Sequence, residues 1–236
     1  MTENGLTNDK LKIIAVISMI VDHIGSYLLP NVTVLRFIGR ISFPIFAFMI
    51  AEGCRYTKNK KRYLLNMATL AIVCQILFRP FSSLLYLRIP CTFTLSVIMV
   101  FLIQYCVNVL KEENSALQKG FAVAILAVMV VFVYWLSSVC KIDYGFYGCM
   151  TPVLISAVTI NNNNNSREIL YQQLTVLAFM LLLISSQYIP MQYFSLASLP
   201  LLALYNGKRE NIVPKNFFYI FYPLHLAVIF AIKHFI

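Results

Sequence analysis

Residues Leu11 to Pro30, LKIIAVISMIVDHIGSYLLP, make an apolar run long enough to cross a bilayer, and Asp22 and His23 lie inside it. A stretch of about 18 or more mainly apolar residues reads as a transmembrane helix. Such a helix satisfies its own backbone, but hydrocarbon offers nothing to an ionisable side chain. Intramembrane Asp and His are therefore functional candidates by default. Lys12 stands at the opposite end of the same helix. At about 1.5 Å of rise per residue, Lys12 and His23 are roughly 16 Å apart along the axis, about half the hydrocarbon thickness.

The rest of the chain repeats the apolar pattern. Of its 236 residues 60% are hydrophobic and only 12% are charged, where soluble domains average about 25% charged. Further apolar runs follow at about Val34 to Gly53, Tyr63 to Phe78, Thr92 to Leu110 and Gly120 to Val139. A shorter sixth ends near Ile160, and three more cover about Ile169 to Ile189, Tyr193 to Tyr205 and Phe217 to Ile236. The expected fold is all-α: a polytopic membrane bundle of about nine transmembrane helices (eight to ten), one domain over residues 1–236 with a short polar cytoplasmic N-terminus at 1–10. No small-residue cleavage site follows the first run, which is long for a signal peptide, so it reads as a retained helix.

The net charge of +10 does not point to nucleic acid, because no basic domain carries it. The basic residues gather in short loops, as the positive-inside rule expects. With the N-terminus cytoplasmic, 13 of the 19 Lys and Arg fall on the inner side, including Lys10, Lys12, the loop Arg55 to Arg62, Lys208, Arg209 and Lys215. Asp22 and His23 then lie in the outer half of the membrane, on the same side as Arg36, Arg40, Arg79, Arg88 and Asp143. The run Asn161 to Asn165 reads as a solvated turn. Six cysteines are scattered singly without metal-ligand spacing, which predicts neither a disulfide framework nor a metal site.

The outer-half residues carry the chemistry. His23 has a side chain whose ordinary pKa lies near neutrality, so it can take and return a proton. Asp22 points about 100° away from it on a helix, so the two are not expected to pair. Arg36 and Arg40 are four apart and share a helical face with Pro44. They suit neutralising Asp22 or stabilising an oxyanion. Alternatively, Asp22, Arg36 and Arg40 are an ion cluster that only fixes packing. In Tyr222-Pro223-Leu224-His225, Pro223 disturbs a helix and His225 either bonds a backbone carbonyl or contacts substrate. Asp143, Tyr222 and His225 are the candidates for acceptor contacts. The Arg55 to Arg62 loop reads as a topology anchor, with an anionic ligand as its functional alternative.

Several stretches together resemble the TraX family of conjugal-transfer proteins: LKIIAVISMIVDHIG, LRFIGRISFPIFAFMIAEGCRYTKN, IDYGFYG, LLALYNGKR and FFYIFYPLHL. The resemblance runs from about Leu11 to the C-terminus. It implies a relative of the acetylase that modifies the N-terminus of conjugative pilin, within the wider group of transmembrane acyltransferases. Some of that group show an Arg or Lys, ten residues, then His on their first helix, and Lys12 and His23 keep that spacing here. The likeness implies that Lys12 helps bind coenzyme A and that His23 is the catalytic histidine.

An acyl-CoA donor fits this layout. Its phosphates are expected at Lys12, Arg55 and Lys58, and its arm carries the thioester to His23, with Asp22, Arg36 and Arg40 completing the catalytic set. The expected reaction moves an acetyl group from cytosolic acetyl-CoA to an extracytoplasmic peptide amine or envelope glycan, across the bacterial cytoplasmic membrane. The oligomeric state is left open. Two other classes stay open as well: a transporter or proton-coupled carrier lined by the same charges, and a non-enzymatic factor for assembling surface appendages.

Overall fold

A computed structural model describes residues 5–79, 86–160, 165–214 and 217–235. Lys215 and residues 161–164 of the asparagine run lie outside them. The helices are α1 (Asn8–Tyr27), α2 (Thr33–Gly39), α3 (Ser42–Tyr56), α4 (Lys60–Phe78), α5 (Ile89–Lys111), α6 (Ala116–Val139) and α7 (Gly145–Ile160). They continue as α8 (Ser166–Gln187), a 3-10 helix over Pro190–Ala197, α9 (Ser198–Ala203) and α10 (Phe217–Phe235). Strands β1 (Tyr86–Leu87) and β2 (Lys141–Ile142) add a two-residue parallel ladder.

Among the described residues, six helical stretches are long and apolar enough to cross a membrane: Thr33–Tyr56 taken as one, α4, α5, α6, α8 and α10. α7 is a shorter apolar helix. α1 is long enough but carries Asp9, Lys10, Lys12 and Asp22. α6 shows what surrounds the protein. Leu117 is 84% exposed, Phe121 68% and Val131 66%. An apolar helix uncovered over so much of its surface suits a lipid surrounding.

Two prolines break runs that hydropathy alone reads as continuous. A helix running from Val34 to Gly53 needs an N–H at residue 44 to bond the Arg40 carbonyl, and the Pro44 ring would collide with that carbonyl. α2 therefore ends at Gly39, residues 40 and 41 turn, and Pro44 falls in the first turn of α3, where its missing N–H has no partner to lose. Pro200 acts alike on Leu196. The run Tyr193 to Tyr205 becomes a 3-10 helix followed by the short α9.

The chain divides into two compact bodies, Met1–Met49 with Asn164–Ile236, and Ile50–Asn163. In the first, α1 packs against α2 and α10, while α8 packs on the 3-10 helix and α9. Its core holds Leu11, Ala15, Phe48, Leu177, Leu181 and Leu202, all at 0% exposure. In the second, α5 is the central element, covered by α4, α6 and α7.

Candidate active site

Two glycines bring α1 and α2 together. A methyl group at Gly25 would lie 2.7 Å from the Leu35 Cβ, and one at Gly39 would run into the Asp22 side chain. With hydrogen at both positions, the backbone of α2 can lie directly against α1. Arg36 in α2 and Arg40 in the turn after it then reach Asp22.

Both oxygens of that carboxylate are held. Arg36 Nη1 donates to Asp22 Oδ2 at 2.8 Å and Arg40 Nη2 donates to Asp22 Oδ1 at 2.8 Å. Arg36 Nη1 also donates to the Asp22 carbonyl at 3.2 Å. Arg40 is engaged on every side: its Nε donates to the Arg36 carbonyl at 3.3 Å and its Nη1 to Gln192 Oε1 at 3.1 Å. Arg36 meets Asp22 through Nη1. Two guanidiniums on one carboxylate leave the cluster with a net positive charge, a state that low-dielectric surroundings penalise until an anion arrives. Beside it, Gln192 Nε2 and Ser195 Oγ are buried with no hydrogen-bond partner among the described residues. Side chains three apart on a 3-10 helix eclipse one another, so these two share a face.

His23, on the next face of α1, meets α10. Its Nδ1 lies 2.9 Å from His225 Nε2, and His225 Nδ1 lies 3.0 Å from the Phe221 carbonyl oxygen. The Tyr222 ring stands edge-on to His225. His225 is 7% exposed, and His23 is partly buried. The sequence leaves this pairing invisible, since the two histidines are 202 residues apart.

The far end of α1 is organised by a different set. Lys12 Nζ lies 5.4 Å above the Phe218 ring of α10. Asp9 is buried, accepts from the Ile212 N–H at 2.9 Å and faces Arg209 Nε at 3.8 Å. Leu6 and Asn8 pair through their backbones with Leu204, Asn206 and Lys208. The segment from Gln192 to Lys208 thus runs the length of α1, from the Asp22 end to the Asn8 end. α10 runs the same length in the opposite sense: Phe218 stands by Lys12, His225 by His23 and Phe230 by Tyr27.

The other expected site residues belong to the second body. Arg55 faces Glu52 at 3.7 Å and Lys58 is exposed in the loop before α4. Asp143 joins β1, β2 and α5: its side chain accepts from the Tyr86 hydroxyl and, at 3.0 Å, from the Ile89 N–H in the first turn of α5. The Thr92 hydroxyl donates to its carbonyl at 3.0 Å. These bonds satisfy a helix terminus, with Arg88 over the Phe78 and Tyr86 rings beside them. Among the described residues, no group of three or more His, Cys, Asp or Glu is placed to hold a metal ion.

Residues 7–233 match the family model described as TraX protein. The chain belongs to the TraX family. It is 35% identical over 138 residues to an uncharacterized Rickettsia prowazekii protein, covering 58% of this chain and 50% of that one. The match thus spans half the length of that relative. It is also 26% identical to the probable fimbrial assembly protein FimC, serogroup H1, of Dichelobacter nodosus, covering 96% of each chain. No solved structure matches. Within this TraX protein, Gly25, Gly39, Gln192 and Phe221 shape the candidate site and were passed over by sequence reasoning. Gly39 directly before Arg40, and Gly25 three residues after Asp22, are the signals available for two of them. Gln192 and Phe221 have none.

Proposed function

We propose that this TraX protein is an integral-membrane acyltransferase moving an acetyl group from cytosolic acetyl-CoA to an extracytoplasmic amine or hydroxyl. The observation that carries this reading is the pairing, at one end of α1, of an imidazole with the net-positive Asp22–Arg36–Arg40 cluster. Lys12 stands at the other end. A base and an oxyanion-stabilising cation about 16 Å from a phosphate-binding lysine suit a donor with a long pantetheine arm.

The proposed topology has nine crossings: α1, α2 with α3, α4, α5, α6, α7, α8, the 3-10 helix with α9, and α10. The N-terminus is placed in the cytoplasm, the orientation that the distribution of basic loops favours. The anionic end of the donor meets Lys12 and Arg209, with Arg55 and Lys58 raising its local concentration at the same membrane face. The acceptor amine or hydroxyl attacks the thioester carbonyl as His23 takes its proton. The tetrahedral oxyanion forms against Arg36, which has donors to offer, while Arg40 and Asp22 hold that arginine in place. Collapse breaks the carbon–sulfur bond, and the thiolate leaves with the proton from His23. A two-step route, in which His23 itself carries the acetyl group, uses the same residues. Gln192 and Ser195 supply polar contacts to the acceptor, since buried polar atoms without partners are rare. The likeness to a fimbrial assembly protein favours a subunit of a surface appendage as that acceptor.

The same likeness supports a second reading, a factor that assembles appendages without chemistry. Acetyl-CoA separates the two. Purified protein in nanodiscs, given labelled acetyl-CoA and a crude envelope fraction, is expected to release free coenzyme A and to label an envelope component. Well-folded protein that fails to bind acetyl-CoA overturns the enzyme reading in favour of assembly or transport.

A further inference from the structure

We propose that His225 is a positioning residue that fixes the tautomer of His23 and makes Nε2 its reacting nitrogen. This rests on the acyl-transfer reading for its consequence, but on hydrogen-bond geometry for its substance. A carbonyl oxygen only accepts, so the 3.0 Å contact with Phe221 requires a proton on His225 Nδ1. In the neutral imidazole the other nitrogen is then an acceptor. The 2.9 Å contact between His225 Nε2 and His23 Nδ1 consequently places the proton on His23 Nδ1. Nε2 of His23 carries the lone pair. One backbone carbonyl therefore sets two tautomers in series.

The packing supports the relay. The planes of His23 and His225 are tilted by only 22°, so an N–H in the plane of one ring points along the plane of the other. Phe221 lies over His225 with an interplanar angle of 4°, and the Tyr222 ring blocks it edge-on at 5.5 Å between centroids. His225 has little room to turn. Pro223 sits inside this turn of α10 and contributes no N–H to the helix ladder. The partner of a reacting histidine commonly fixes which nitrogen is available. Here a second histidine anchored to the main chain fills the place that a carboxylate often takes, while Asp22 is occupied by arginines.

The chain has three histidines, so nitrogen NMR of histidine-labelled protein in nanodiscs reads their tautomers directly. Single substitutions assign the signals. His23 and His225 are both expected to carry the proton on Nδ1. The His225→Gln variant keeps an acceptor at the ε position and is expected to hold the His23 tautomer. His225→Leu is expected to release it to a mixture. In turnover, His225→Leu is expected to lower kcat by about 100-fold or more with the KM for acetyl-CoA unchanged, and His225→Gln to restore most of it. A proton on Nε2 of His23 in the wild type, or a His23 tautomer indifferent to His225→Leu, overturns the proposal whether or not the protein turns over acetyl-CoA. Both tautomers as expected in a protein without acetyl transfer leaves the relay standing and removes the enzyme reading alone.

Discussion

Asp22 is the residue on which the cluster's charge balance depends. Its two oxygens neutralise parts of two guanidiniums that are themselves largely covered, Arg36 at 27% and Arg40 at 12% side-chain exposure. Replacing it by alanine leaves both cations without their partner. The expected loss for Asp22→Ala is on the order of 2 kcal/mol, less than at a fully buried pair because solvent reaches part of the site. Thermal unfolding in nanodiscs measures it, and an unchanged midpoint would argue that the arginines are stabilised by something else. At this scale the sequence is legible in part. Asp22 and His23 stand out because charge inside an apolar run is costly, and the face shared by Arg36 and Arg40 follows from a spacing of four. The partner of His23 does not, because nothing local ties residue 23 to residue 225. Nor does Gln192, an ordinary polar residue until the fold delivers it to Arg40.

Among the elements, the contact between α1 and α2 is set by what glycine omits. Gly39→Ala is expected to force α2 away from Asp22 and to destabilise the protein by about 1–3 kcal/mol, the usual range for overpacking. Gly120→Ala in α6 is the control, since nothing lies within 4 Å of the added methyl group, and there the change should stabilise by about 0.5–1 kcal/mol. Equal effects of the two substitutions would contradict the close approach. Apolar runs locate most helices well, because length and hydropathy are properties of a segment alone. Breaks inside runs are harder, since Pro44 and Pro200 act on carbonyls four residues earlier. Asp143 shows how a residue expected at the acceptor also has a structural task that its sequence position does not reveal. A carboxylate near a loop invites a substrate role, yet its bonds to Tyr86 and Ile89 fasten β1 and the start of α5.

Across the complete fold, acetyl transfer of the proposed kind requires that Lys12 and His23 address opposite sides of one membrane. The proposed topology has Lys58 and Glu113 inside and Lys141 outside. Reporter fusions made after these residues are expected to fluoresce as cytoplasmic fusions at 58 and 113, and to show periplasmic phosphatase activity at 141. Inverted results would place His23 on the cytoplasmic side and remove the need for a donor that spans α1. Membership of the TraX family and the exposed apolar surface of α6 agree with a multi-pass protein. What remains specific to the account is the division of labour along α1, donor at Lys12 and chemistry at His23.

Steady-state acetyl-CoA turnover by wild type, Lys12→Ala and His23→Ala, in nanodiscs with an envelope fraction, tests that division most directly. His23→Ala is expected to bind acetyl-CoA as the wild type does and to lose about 100-fold or more in kcat. Lys12→Ala is expected to raise the KM for acetyl-CoA about 10-fold and to keep most of kcat, since removing a contact made equally in ground and transition states affects binding alone. A folded His23→Ala protein that releases coenzyme A at the wild-type rate would contradict the assignment of the chemistry to His23, and with it the account.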